Sequence, residues 1–169
     1  RMDTICNPDV ARAVVLIDLH THTRIMSYCS RLEPDQLVQR ARDLGLDGIC
    51  ITEHDRVWRE DQARQLAEKH GFLVLRGVEV STNWGHVLVF GLDDTASHIW
   101  RVENLRHAVD QVGGVMILAH PFRSSFGKRA HLDDSYRLFD AIEVLNGTDP
   151  EPLNRSALML SRDLGLAGT

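Results

Sequence analysis

Short apolar runs rich in β-branched residues alternate with amphipathic helical patterns along nearly the whole chain, and this alternation restricts the fold more than any other feature. The strand-like runs are Val14 to Leu19, Gly48 to Thr52, Phe72 to Val80, His86 to Gly91, Val115 to Ala119 and Ala141 to Leu145. Between them, Pro34 to Leu44 puts Leu37, Val38, Ala41 and Leu44 on one stripe and stops at Gly45, and Glu60 to His70 carries Ala63, Leu66 and Ala67 before Gly71. Ile99 to Val112 follows a candidate N-cap at Ser97, and Leu153 to Leu164 aligns Leu153, Ala157, Leu160 and Leu164 before Gly165. Such alternation predicts parallel strands joined by crossover helices, either an α/β barrel or an open doubly wound sheet. At 169 residues and 43% hydrophobic, the chain suits one domain with a substantial core.

Charge and cysteine usage narrow the function. The formal net charge is -5, so no basic excess is available to neutralise a nucleic-acid backbone, which argues against binding bulk nucleic acid. The longest candidate apolar run, Ala13 to Ile17, is far short of the roughly 20 residues of a membrane helix, and no signal-peptide pattern opens the chain. Three cysteines, Cys6, Cys29 and Cys50, make no disulfide framework, which favours a reducing, cytoplasmic setting. No dinucleotide-binding, Walker or nucleophile-elbow motif is present. Nine histidines stand out instead.

The polar residues collect at the carboxyl ends of the strands: His20 and His22, then His54, Glu79, His120, and Glu143 with Asn146. That end of α/β sheets and barrels is where ligands gather. In Asp18-Leu19-His20-Thr21-His22, strand alternation places Asp18, His20 and His22 on one face, so two imidazoles can grip one metal ion with Asp18 orienting a ring. Two exposed loop histidines are the plainer alternative. Ile51-Thr52-Glu53-His54-Asp55 again ends a strand in polar donors, with a helix start capped by Asp55 as its alternative. Glu79, set between Val78 and Val80, needs a partner if buried, either a cation or an arginine such as Arg76. A tight antiparallel return through Ser81 to Gly85 would bring His86 beside Glu79. Pro121 ends the ladder after His120, and Arg123 then offers phosphate a planar charged fork, or makes a surface salt bridge. Lys128, Arg129 and His131 fall in the loop that follows.

Six segments in fixed order resemble the PHP family, named for its polymerase and histidinol phosphatase members. They are DLHTHT at Asp18 to Thr23, ITEHD at Ile51 to Asp55, GVEVS at Gly77 to Ser81, GHVLVFG at Gly85 to Gly91, AHPFR at Ala119 to Arg123 and IEVLNG at Ile142 to Gly147. The resemblance covers residues 14–169, leaving 1–13 as an N-terminal extension. It implies a distorted seven-stranded (β/α) barrel that holds two or three divalent ions and hydrolyses phosphoesters. By position, His20 and His22 resemble ligands of a first metal, Glu79 the carboxylate bridging first and second, His120 and His86 ligands of the second, and His54 a ligand of a third. Arg123 and Asn146 stand where substrate is met, and His120, Glu79 and Arg123 are the candidate catalytic groups. Imidazole with carboxylate favours Zn, Mn or Fe. The implied reaction is attack by a metal-bridging hydroxide on a small phosphorylated metabolite or nucleotide.

The chain departs from the family twice. Cys29 stands in a loop where relatives place Asp or His for the third metal, and a thiolate there would suit zinc. The final Ser-Asp-x-His motif is missing from the sequence, which is expected either of a C-terminally truncated chain or of a barrel that lacks part of its site. Two rivals follow: a metal-dependent amidohydrolase, which also uses His-x-His after a first strand, and a non-catalytic PHP-like binding module.

Overall fold

The computed structural model describes residues 14–93, 99–123 and 134–169. The N-terminal extension with Cys6, the cap position Ser97, His98, and the loop with Lys128, Arg129 and His131 lie outside the described residues. The elements run β1 (Ile17–Thr21), α1 (Pro34–Asp43), β2 (Gly48–Ile51), α2 (Glu60–His70), β3 (Leu73–Arg76), β4 (Val78–Thr82), β5 (Gly85–Phe90), α3 (Val102–Gln111), β6 (Val115–Leu118), β7 (Ala141–Ile142), α4 (Glu151–Leu164) and β8 (Ala167–Gly168), with a short 3-10 helix at Asp134–Leu138 before β7. No helix is long and apolar enough to cross a membrane among the described residues.

The strands form a parallel three-stranded sheet, β1-β2-β3, and a five-stranded sheet ordered β4-β5-β6-β7-β8. The two are stitched together beyond β2: the Gly77 amide donates to the Ile51 carbonyl at 2.9 Å, the Glu79 amide to Glu53 at 3.0 Å and the Asp55 amide to Glu79 at 2.9 Å. The run predicted as one strand from Phe72 to Val80 is therefore broken at Gly77. A Cβ at Gly77 would lie 2.7 Å from the Phe90 ring and 3.0 Å from Thr52, so only glycine lets the strands approach this closely.

Every described helix packs on one side of the sheets. Ile49, Ile51 and Val74 meet Leu37, Val38 and Ala41 of α1 and Ala63 and Leu66 of α2. Val78, Val80, Val87, Val89, Met116, Leu118 and Ile142 meet Val102, Leu105 and Val109 of α3 and Ala157 of α4. Period-two alternation sends the intervening residues to the opposite face, where Leu88, Ile117, Ala119 and Ala141 pack with Leu19 and Phe90. Toward the amino ends of the strands this face is apolar and lines a cavity of about 610 Å³ with Leu19, Cys50, Leu75, Phe90 and Ile117. At the carboxyl ends it is polar. Among the described residues this one-sided packing does not match an open doubly wound sheet, which needs helices on both faces.

The expected seven-stranded barrel is not shown as such. The strands remain two sheets, β1 and β8 are sheet edges with no ladder between them, and β5 runs antiparallel to both neighbours. The antiparallel turn has a local cause: Thr82 pairs with Gly85 across a two-residue loop, too short for a parallel crossover. Gly85 takes φ +104 there, and Asn83 turns to α3, its Oδ1 accepting the Val102 amide at 2.9 Å. Helix boundaries shift for similar reasons. Leu44 and Val112, expected on buried stripes, are exposed at the C-caps of α1 and α3, and α4 starts two residues early at Glu151 because Pro152 is tolerated in a first turn that lacks amide partners.

Candidate metal centre

β1 reaches the site through a bulge. Its register advances from Asp18 to Thr21 while β2 advances only from Ile49 to Ile51. The extra residue bends the strand and re-aims the side chains that follow. Asp18 Oδ1 accepts the His20 amide at 3.0 Å, so Asp18 holds main chain and not a histidine ring as its strand position had suggested. The ring of His20 is instead held by Glu143, whose Oε1 lies 2.9 Å from Nδ1. His20 and His22 then face each other, with their Nε2 atoms 3.1 Å apart.

Glu79 is the hub. Buried between Val78 and Val80, it turns to the face opposite α3 and α4, where Oε1 lies 2.8 Å from His86 Nδ1, 2.9 Å from His120 Nε2 and 3.3 Å from His20 Nε2. Oε2 lies 2.9 Å from His54 Nδ1 and 3.2 Å from His22 Nε2. The proximity of Oε2 to these rings is not hydrogen bonding: this buried atom has no hydrogen-bond partner. A buried carboxylate oxygen left without a hydrogen bond between two imidazoles fits a cation as the missing partner. Four overlapping trios have donor atoms within 4.8 Å of one another: His20, His22 and Glu79; His54, Glu79 and His86; His20, His120 and Glu143; and His22, Cys29 and His54. All six predicted metal-ligating residues thus meet in one mouth. The alternative partner for Glu79, Arg76, is engaged elsewhere, with Asp93 and the Trp58 carbonyl. Asp55 caps no helix; at φ +54 it accepts the Ser81 amide at 2.8 Å, tying the His54 loop to β4.

The charges are mutually dependent. Burial alone would raise the Glu79 pKa, but the contacts with His120, His20, His22 and His54 hold it well below the usual carboxylate range. Burial opposes a charge on His20, yet Glu143 and Glu79 overcome it and raise its pKa to about 9. His54 is raised by Glu79 against a smaller effect of burial. Glu143 is lowered because His20, Asn146 and the His120 amide outweigh its burial. Without a cation, protons on imidazoles balance the carboxylates; a bound cation takes their place.

Two carboxylates carry the support, and the sequence motifs assigned a role to neither. Glu143 joins distant parts of the site, accepting the His120 amide at 2.7 Å through Oε2 and the Asn146 side-chain amide at 2.9 Å through Oε1, beside His20. His120 takes φ +26, a sparsely populated backbone for a non-glycine residue, held by that amide bond and by Pro121. Glu53 is wholly buried, accepting from the hydroxyls of Thr23 and Ser27, the Thr23 amide and Trp58 Nε1. The Ser27 hydroxyl also lies 3.3 Å from His22 Nδ1, so Glu53 supports that ring through one intermediary. The signal for Glu53 was available: an acid next to His54 at the end of an all-buried strand must have partners.

Arg123 reaches the same rim, with Nε donating to Asp149 at 2.6 Å and Nη2 to Asn146 and Thr148, each at 2.6 Å. Asn146 therefore spans from Glu143 to Arg123. Cys29 brings Sγ to 3.3 Å from His54 Nε2, and burial with the nearby Glu79 charge pushes its thiol pKa up. The remaining described histidines stand apart: His70 pairs with Asp35 at 2.6 Å and His107 is exposed.

Comparisons with known proteins bear on the fold and the family. A 5'-3' exoribonuclease of Haemophilus influenzae is 33% identical over 82 residues, 46% of this chain and 29% of that protein. A 3',5'-nucleoside bisphosphate phosphatase of Chromobacterium violaceum is 33% identical over 81 residues, 46% of this chain and 28% of that protein. The matches thus span less than a third of these relatives' own lengths. Among solved structures, a Bifidobacterium adolescentis protein described as a candidate metal-dependent phosphoesterase superposes with TM-score 0.70 at 19% identity, covering 92% of this chain and 86% of that one. A Chromobacterium violaceum amidohydrolase superposes with TM-score 0.71 at 18% identity, covering 90% and 84%. At such identities these likenesses establish the fold alone. The PHP domain profile matches residues 18–145, a stretch containing every residue of the histidine cluster, and the chain belongs to the PHP domain family.

Proposed function

We propose that this chain is a metal-dependent phosphoesterase acting on a small phosphorylated metabolite or nucleotide. The observation that carries the reading is the convergence of five imidazoles on Glu79, one of whose buried oxygens lacks a hydrogen bond. In this reading His20, His22 and Glu79 hold one cation, and Glu79 with His86 and His120 holds a second. Divalent ions bound there supply Lewis acidity toward a phosphoryl oxygen. The donor set suits Zn, Mn or Fe.

The chain's own residues do the rest. Glu143 fixes the His20 ring and the His120 backbone, and Glu53 acts through Ser27 on His22, so the imidazoles are set before substrate arrives. Arg123, oriented by Asp149, Asn146 and Thr148, meets the phosphate and neutralises charge that develops on its oxygens. Nucleotide substrates are favoured by the relatives named as an exoribonuclease and a nucleoside bisphosphate phosphatase. The net charge of -5 favours small substrates over polyanionic chains.

Phosphate release from nucleoside monophosphates, nucleoside bisphosphates and sugar phosphates, measured with added Mn2+ or Zn2+, tests the proposal. The expected result is turnover that a chelator abolishes and that His20→Ala lowers at least 100-fold without unfolding the protein. Hydrolysis of amides or lactones in place of phosphoesters would make it an amidohydrolase. Full metal occupancy with no turnover of any ester would make it a binding module.

A further inference from the structure

Tyr28 is 97% exposed, more than any other large apolar residue among those described, yet its backbone is firmly held. It occupies the first corner of a tight turn closed by the Ser30 amide, which donates to the Ser27 carbonyl at 3.2 Å. The Ser27 amide donates to the Thr23 carbonyl at 3.1 Å, and the Ser27 hydroxyl donates to Glu53 and accepts the His54 amide at 3.3 Å. The turn is thus anchored to the segments that follow β1 and β2. The Tyr28 ring lies 21° from parallel to that of His54, with centroids 6.0 Å apart, an offset arrangement that leaves its faces open. Rings then follow in a line: His54 to His22 at 4.6 Å, His22 to His20 at 5.0 Å and His20 to His120 at 5.6 Å. Arg123 joins the far end of that line, since it donates to Asn146, which donates to the Glu143 carboxylate beside His20. The mouth therefore has a cationic end at Arg123 and an aromatic end at Tyr28, with Glu79 between them. Tyr28 approaches that hub only through His54, so a ligand ring lying on it needs a spacer between ring and phosphate.

We propose that Tyr28 is the platform on which the base of a nucleotide stacks while its phosphate lies at the histidine cluster and Arg123, so that Tyr28 selects nucleotides over phosphoesters without a base. Ribose supplies the spacer. Stacking on an aromatic face needs no hydrogen-bond readout, so one platform accepts every base. A ring already fixed at the corner of an anchored turn loses little freedom when a base covers it. The inference rests on the proposed function and names the part of the substrate that the same site distinguishes.

Rates with adenosine 5'-monophosphate, ribose 5-phosphate and phenyl phosphate, measured with added Mn2+ for the wild type and for Tyr28→Ala, Tyr28→Phe and Tyr28→Trp, test it. The readout is the ratio of kcat/KM for the nucleotide to that for the ribose phosphate. It should fall about tenfold in Tyr28→Ala and be kept in Tyr28→Phe and Tyr28→Trp, because the aromatic face and not the hydroxyl binds. Phenyl phosphate, whose ring has no spacer, should keep its ratio to the ribose phosphate in every variant. The Tyr28 side chain is exposed, so its truncation leaves no cavity and the variants should fold. A nucleotide ratio unchanged in Tyr28→Ala overturns the proposal, as does an equal loss for all the esters, which would make Tyr28 a support of His54. Loss in Tyr28→Phe, or a phenyl phosphate ratio that falls with that of the nucleotide, overturns it as well. A wild type that hydrolyses the ribose phosphate but not the nucleotide sinks this inference alone, whereas no turnover of any phosphoester sinks the proposed function and this inference with it.

Discussion

A carboxylate ringed by five imidazoles would be a poor way to stabilise a protein, since burying charge costs several kcal/mol per ion unless the partners compensate fully. At Glu79 the imidazoles compensate the charge, yet one buried oxygen still lacks a hydrogen bond, and that open position is the signal for a cation. The supporting carboxylates should be measurable through metal affinity. Replacing Glu143 with Gln keeps its shape but weakens its hold on His20 and the His120 amide. We expect about a 10- to 100-fold loss in Mn2+ or Zn2+ affinity by calorimetry, with the fold intact by circular dichroism. An unchanged affinity would reduce Glu143 to a packing residue. In the proposed reading Asp149 acts on substrate through Arg123, and it touches no proposed metal ligand. Asp149→Ala should therefore lower kcat/KM for a phosphoester about tenfold, ~1.4 kcal/mol, while leaving metal affinity at the wild-type value. An equal loss of metal affinity would instead make Asp149 a support of the metal ligands.

Among the elements, the β4–β5 hairpin and the β5–β6 pair do most to shape the mouth. The hairpin turns the chain within two residues, sets Ser81 opposite His86 and so returns an imidazole to Glu79. One close backbone approach there depends on glycine. A Cβ at Gly114 would stand 2.4 Å from the Phe90 carbonyl oxygen, where the chain enters β6, and backbone cannot give way as a flexible side chain can. Gly114→Ala should cost about 1–3 kcal/mol in urea unfolding. Gly147→Ala, where an added Cβ meets nothing within 4 Å, is the control and should leave the midpoint nearly unchanged. Equal midpoints for the two variants would mean that the β5–β6 junction is looser than its geometry implies. The hairpin was legible in the sequence from the loop Ser81 to Gly85, and the helices from their stripes and terminal glycines. The break at Gly77 was not, because only the facing Phe90 ring and Thr52 make glycine necessary there.

For the molecule as a whole, folding and metal binding compete for the same protons. The His20 pKa of about 9 in the folded, cation-free protein exceeds its ordinary value of 6.5. A raised folded pKa contributes stability that is complete below about 6.5 and lost as pH rises through about 9, by at most about 3 kcal/mol. The chelated protein should thus show a Tm that falls between pH 6.5 and 9.5, and His20→Gln should flatten that decline. With saturating Zn2+ the slope should reverse, because ligation needs neutral imidazoles and a higher pH supplies them. A chelated protein whose Tm is flat across this window would contradict the charge coupling. The sequence by itself determined the alternation of strand and helix, the amphipathic stripes and the arrival of donors at strand ends, since these depend on periods of two and 3.6 residues that any local window contains. Only the tertiary structure decided which donors touch. The pairing of His20 with Glu143 spans 123 residues, the bulge in β1 changes where its histidines point, and the burial of Glu53 beneath Thr23, Ser27 and Trp58 joins two separate segments. Register, bulge and sheet curvature are properties of several strands at once, so no one strand's pattern encodes them.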